Sequence, residues 1–208
     1  MFEDRTDAGE QLAERVRDEG ITADIVLAIP RGGLPIGRPV ADALQAPLDV
    51  VVAKKLGAPQ NPELAIGAVG ADGSVWLNDA LIQRIGVDDV YVERERERKA
   101  EQAIVKATQY RGNGPIPNID GKRVVVVDDG VATGATTIAC LRQVRNAGAD
   151  YVVLAVPVGS PRSIERLYDD ADDVMCLETP PHFSAVGQFY RVFEQVPDEV
   201  AQTYLRAE

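Results

Sequence analysis

Asp128 and Asp129 stand side by side behind a run of four valines, and the next eight residues, Gly130 to Thr137, include two glycines and three threonines. Adjacent carboxylates accept hydrogen bonds from neighbouring hydroxyls, such as those of a sugar ring. A loop this poor in side chain lets backbone N–H groups converge on an anion where a helix begins, and its dipole favours negative charge there. Thr133, Thr136 and Thr137 add hydroxyl donors, while Ala132, Gly134 and Ala135 leave room. The combined chemistry suits a sugar phosphate. A plain strand-to-helix turn with a threonine cap is the simpler alternative, but a cap uses one hydroxyl and explains neither the acidic pair nor the second glycine. The Lys-Ser/Thr ending of a nucleotide P-loop is absent.

A second anion loop precedes it by about a hundred residues: Ile29, Pro30, Arg31, Gly32 and Gly33, running on to Gly37. Glycines there allow close backbone approach, and a guanidinium can fork two donors onto anionic oxygens. Lys54 and Lys55, two of only five lysines, follow the apolar stretch 48–53. Beside an anion they offset charge; otherwise they are solvated at a strand end.

These residues need elements to hold them. The unbroken apolar run at 124–127 reads as a strand covered on both faces, the pattern of a parallel sheet, and 24–29 reads as a short apolar strand, so the loops fall at strand carboxyl ends where open α/β sheets bind ligands. Further strands are expected at 48–53, 151–157 and 173–177, and a hairpin at 64–77 turned by Ala71, Asp72 and Gly73. Helices are expected around 8–16, 34–44, 79–86, 88–111, 138–144 and 162–168. Pro35 suits a first turn, whereas Pro39 kinks the second helix or delays its start. The charge-rich stretch 93–99 reads as a solvated helix face with Glu95 meeting Lys99. Residues 112–120 form a surface connection. The whole indicates an α/β fold, a mainly parallel doubly wound sheet flanked by helices, in one domain over 1–208.

Bulk composition narrows the field. The net charge of −11 argues against a broad nucleic-acid footprint, which draws on clustered Lys and Arg. No run approaches the roughly 20 apolar residues that span a bilayer, and the N-terminus lacks the pattern of a signal peptide, so a cytoplasmic protein is expected. Cys140 and Cys176 have no metal-like spacing and read as reduced thiols.

The segment 123–137 resembles the phosphoribosyl pyrophosphate (PRPP) motif of the type I phosphoribosyltransferases: hydrophobic strand, two acids, two small or apolar residues, then a Thr-Gly-x-Thr loop. The resemblance implies that Asp128 and Asp129 hold the ribose hydroxyls and that residues 132–137 hold the 5-phosphate. It also implies that Arg31, Gly32 and Gly33 hold the pyrophosphate leaving group, with Lys54 facing it. Residues 59–64 would belong to a mobile loop, here a short one. A hood at about 178–196 would cover the acceptor, where Phe183, Val186, Phe189 or Tyr190 either stack on a base or close the core. Asn61, Glu63 and Gly67 are further site candidates without an assigned role. The implied reaction is Mg²⁺-dependent transfer of a 5-phosphoribosyl group to a nitrogen acceptor, a nucleotide-salvage activity, with Asp128 and Asp129 supporting a metal held largely by substrate and water; a homodimer is compatible with it. Ala132 stands where hypoxanthine-guanine enzymes carry an aspartate, so the acceptor base stays open. A PRPP-binding regulator without turnover is the alternative. A PRPP synthetase shares the motif but is built from two related halves, and no repeat is present here.

Overall fold

The computed structural model describes residues 1–112 and 117–206. Part of the expected connection 112–120 therefore lies outside the described residues. Two sheets form. In chain order the elements are α1 (Arg5–Asp18), β1 (Ile25–Ala28), α2 (Gly33–Leu44), β2 (Leu48–Val50), β3 (Ala53–Ala58), β4 (Asn61–Gly70), β5 (Val75–Leu77), α3 (Asp79–Ile85) and α4 (Asp89–Arg111). They continue with β6 (Arg123–Val127), α5 (Ala135–Asn146), β7 (Tyr151–Val158), α6 (Pro161–Leu167), β8 (Asp173–Glu178), a 3-10 turn at Val186–Phe189 and α7 (Asp198–Arg206).

The main sheet is parallel throughout, in the order β2-β1-β6-β7-β8. Its central strands β1, β6 and β7 are buried on both faces because successive side chains alternate between two helical layers. Val26, Ala28, Val125 and Val127 pack with Leu12, Val16, Leu34 and Ile36 of α1 and α2. Ile25, Leu27, Val124 and Val126 pack with Ile138, Leu141 and Ile164 of α5 and α6. The expected doubly wound α/β class is the one observed. From β1 the chain winds outward to β2, and from β6 it winds the other way to β7 and β8. The reversal point lies between β1 and β6, where such sheets open a crevice at their carboxyl ends.

Three expectations are changed or narrowed. The stretch 48–53 is not one strand: β2 ends at Val50, and Ala53 opens β3 in a separate antiparallel sheet, β3-β4-β5, so Lys54 and Lys55 do not end a strand of the main sheet. Unbroken apolar sequence through Val51 and Val52 hid the change of sheet. The loop expected to be short at 59–64 is only a turn, Pro59 and Gln60, of a hairpin whose second strand starts at Asn61. Finally, α2 begins at Gly33 and runs through Pro39, so that proline does not delay its start. The small sheet is seated on α5 through Ala68, Ala135 and Ala139, with Trp76 alongside.

Candidate functional site

Ala28 and Val127 are register partners, which sets the loops after β1 and β6 next to each other. Gly32 is required by that closeness. A Cβ there would lie 1.9 Å from Oδ2 of Asp129, and one on Gly33 would lie 2.8 Å from the carbonyl of Val127. The Pro30–Arg31 peptide is cis. Gly37 lets α2 approach Val127 in the same way.

Asp128 and Asp129 meet at the crevice. Burial raises the Asp128 carboxyl well above the usual carboxylate range, and the adjacent Asp129 charge adds to the rise. Burial also raises Asp129, against the pull of Arg5, whose Nε donates to Oδ2 of Asp129 at 2.7 Å. Arg5, from the first residue of α1, was not anticipated. Its Nη1 donates to the carbonyl of Glu194 at 2.7 Å, and its guanidinium lies 3.9 Å from the centre of the Phe193 ring. Tyr190 donates its hydroxyl to the carbonyl of Asp129 at 2.6 Å and stacks between Phe2 and Phe193. Of the four candidate base-stacking residues, Tyr190 is thus buried in packing, and Phe183 and Phe189 pair with each other at 5.2 Å. Val186 abuts Gly130, where an added Cβ would come within 2.7 Å of it.

The loop after the acidic pair is held from behind by α6. Ser160 and Ser163 donate to the carbonyl of Ala132 at 3.0 and 2.6 Å, and Arg166 donates to the carbonyl of Thr133. In a trans peptide C=O and N–H point oppositely, so the N–H groups of Thr133 and Gly134 are directed away from α6. Gly134 sits at φ 76°, a left-handed conformation that few side chains tolerate. The N–H groups of Ala135, Thr136 and Thr137 begin α5 and have no intrahelical acceptor. Ala132 and Thr133 are exposed, whereas Thr137 is buried, so it offers its backbone rather than its hydroxyl. Arg166 also lies over Trp76, 4.9 Å from the ring centre.

The cations gather on the other side. Arg31, Lys54, Lys99 and Lys106 come from the β1 loop, β3 and α4; burial lowers the Lys54 pKa, and the charges of Lys106, Lys99 and Arg31 lower it further. Asp198, at the start of α7, faces this group. It accepts from Lys106 Nζ at 2.6 Å and from the Tyr110 hydroxyl at 2.8 Å, with Arg31 Nη1 at 3.9 Å. Lys55 is not brought here. Alternation along β3 turns it to Glu63, 3.3 Å away, on the exposed arm that also carries Asn61. Gly67 serves strand packing, since a Cβ would lie 2.4 Å from the Trp76 carbonyl. The stretch 93–99 is not wholly solvated either: Glu95 is buried, held by Nε and Nη2 of Arg98, with Lys99 3.9 Å away. The single histidine, His182, is exposed. Cys140 and Cys176 are unpaired, and burial raises both thiols, Cys176 to about 12.

Among the described residues there is no group of three or more His, Cys, Asp or Glu that could hold a metal ion, and no helix is long and apolar enough to cross a membrane. The two site carboxylates fit a cation only as partial support, with most ligands supplied from elsewhere.

Comparison with known proteins follows the same lines. A family model described as the phosphoribosyl transferase domain matches residues 3–72 and 69–194. Rv0571c of Mycobacterium tuberculosis, which bears a provisional phosphoribosyl transferase name, is 45% identical over 206 residues, 99% of this chain and 46% of its own length. The chain therefore spans about half the length of the mycobacterial relatives it matches. A uracil phosphoribosyltransferase of Staphylococcus haemolyticus is 26% identical over 134 residues, 63% of this chain and 59% of its own. The crystal structure of TT1426 from Thermus thermophilus superimposes with a TM-score of 0.81 at 43% identity, covering 99% of this chain and 97% of that one.

Proposed function

The chain belongs to the phosphoribosyl transferase domain family, and from that premise we propose that it transfers the 5-phosphoribosyl group of PRPP to a nitrogen acceptor, a nucleobase, releasing pyrophosphate. One observation carries the reading. At the crevice between β1 and β6, an acidic pair and an N–H-lined loop stand on one side, and a loop arginine with lysines stands on the other. This is the polarity of a donor with hydroxyls and a 5-phosphate at one end and a diphosphate at C1.

In the reaction the bond from C1 to the pyrophosphate lengthens and positive charge develops on the ribose. Asp128 and Asp129 fix the sugar through its hydroxyls, and the N–H groups from Thr133 to Thr137 fix the phosphate; holding both ends sets C1 in line with the acceptor nitrogen. Arg31 and Lys54 neutralise the departing diphosphate. The acceptor's electron pair forms the new C–N bond as the C–O bond to pyrophosphate breaks, and the acceptor then loses its proton to solvent or to a neighbouring base. A Mg²⁺ ion bound mainly by substrate oxygens and water, with Asp128 in support, would spread the diphosphate charge. The alternative is a regulator that binds the donor without turnover; Ala132, whose methyl group can do no proton transfer, leaves open which base the site would accept.

The decisive experiment incubates the protein with Mg²⁺, PRPP and a panel including adenine, hypoxanthine, guanine and uracil, following pyrophosphate release and nucleotide formation. Transfer to any base supports the enzyme. PRPP binding without turnover on every base supports the regulator, and no PRPP binding overturns both.

A further inference from the structure

Arg31 and Lys54 do not stand alone. Lys99 and Lys106 of α4 lie close enough to disfavour the Lys54 charge, and among the described residues Lys54 has neither a hydrogen bond nor an ion pair of its own. Gathering like charges around a partly buried lysine destabilises the fold unless an anion uses them. Lys99 is already shared with Glu95, which is itself held by Arg98. That leaves Asp198 as the carboxylate facing the group, bound by Lys106 and Tyr110 and approached by Arg31.

Asp198 is not the sole anchor of its helix. Ala201 of α7 is buried, Gln202 donates to the carbonyl of Gln109 at 3.0 Å, and Arg38 donates to the carbonyl of Tyr204 at 3.5 Å. A carboxylate offers one negative charge and two oxygens to a site with more donors than that; a diphosphate offers more of both, in a geometry that spans cations on separate elements. We propose that Lys106 of α4 completes, with Arg31 and Lys54, a site for the pyrophosphate group, and that the Asp198 carboxylate holds this site until the pyrophosphate group displaces it. This rests on the phosphoribosyl reading for the identity of the anion. Displacement needs only a side-chain rotation of Asp198, after which Lys106 Nζ and the Tyr110 hydroxyl are free to donate to the ligand.

The test titrates sodium pyrophosphate, without Mg²⁺, into the intact wild-type chain and into Asp198→Asn and Lys106→Gln, with thermal melts confirming that each is folded. Asp198→Asn keeps a partner for Tyr110 but removes the competing charge, and pyrophosphate should bind roughly tenfold tighter; Lys106→Gln should bind it roughly tenfold more weakly. Asp198→Ala serves if the asparagine variant fails to fold. Equal or weaker binding after loss of the Asp198 charge overturns the displacement, and an unchanged affinity in Lys106→Gln removes α4 from the site. Ribose 5-phosphate, the other half of the donor, is titrated alongside. If it binds to no variant, the phosphoribosyl reading fails while the pyrophosphate comparison still reads out.

Discussion

Asp128 is held at a cost. Its folded pKa is raised by burial and by Asp129, so between the ordinary carboxylate range and that raised value the native state binds more protons than the unfolded chain, and stability falls as pH rises through the interval. Asp128→Asn removes the cost. We expect its melting temperature at neutral pH to rise by about 2–4 °C, the scale of ~1 kcal/mol in a chain of this size, while PRPP-dependent turnover falls by about a hundredfold or more. A lower melting temperature at neutral pH would mean that Asp128 is paired rather than strained. Gly32→Ala acts through its neighbour instead: with 1.9 Å to Oδ2 of Asp129, the new methyl must push that carboxylate aside. Loss of ribose 5-phosphate binding, with a nearly wild-type far-UV spectrum, is the expected outcome. At this scale the acidic pair, Arg31 and the small-residue loop were legible because each cluster is local. Arg5 was not, and Tyr190 was legible only as a stacking or core residue, since their partner Asp129 lies 124 and 61 residues away and nothing beside either residue signals the bond to it.

At the scale of elements, α6 is the brace of the loop at Ala132 and Thr133. Arg166 ties the Thr133 carbonyl and stacks on Trp76, joining the small sheet to the loop of the large one. Arg166→Ala should leave the loop's N–H groups less fixed, raising the KM for PRPP about tenfold with a smaller effect on kcat; a kcat loss at constant KM would place Arg166 in the chemical step instead. Periodicity made most elements readable. Val124 to Val127 could only be a covered strand, and α4 declared itself by length and by Asp88, which caps it. The change of sheet at Ala53 carried no Gly or Pro to mark it. The helix α7 was not legible either: its Ala201, Tyr204 and Leu205 make a short apolar face that has meaning only once the core supplies a surface for it.

Across the whole molecule, the segment after β8 passes over the site and meets the N-terminus: Phe2 pairs with Tyr190, and Arg5 binds the Glu194 carbonyl. Tyr190→Phe removes the hydrogen bond to Asp129 without disturbing the ring stack, and should lower the melting temperature by about 2–4 °C, as expected for ~1 kcal/mol. No change in the melt would show that solvent replaces the hydroxyl at no cost. The pairing of β1 with β6 has a different consequence. At the foot of these strands, Arg123 N donates to Asp24 Oδ2 at 2.8 Å across 99 residues of sequence, and at their tops stand the loops that begin at Ile29 and Asp128. Neither loop can find the other before that long closure is made. In the proposed reading both loops are needed to hold the donor, so the occupancy of bound PRPP should report the folding equilibrium of the entire sheet, not the local order of either loop.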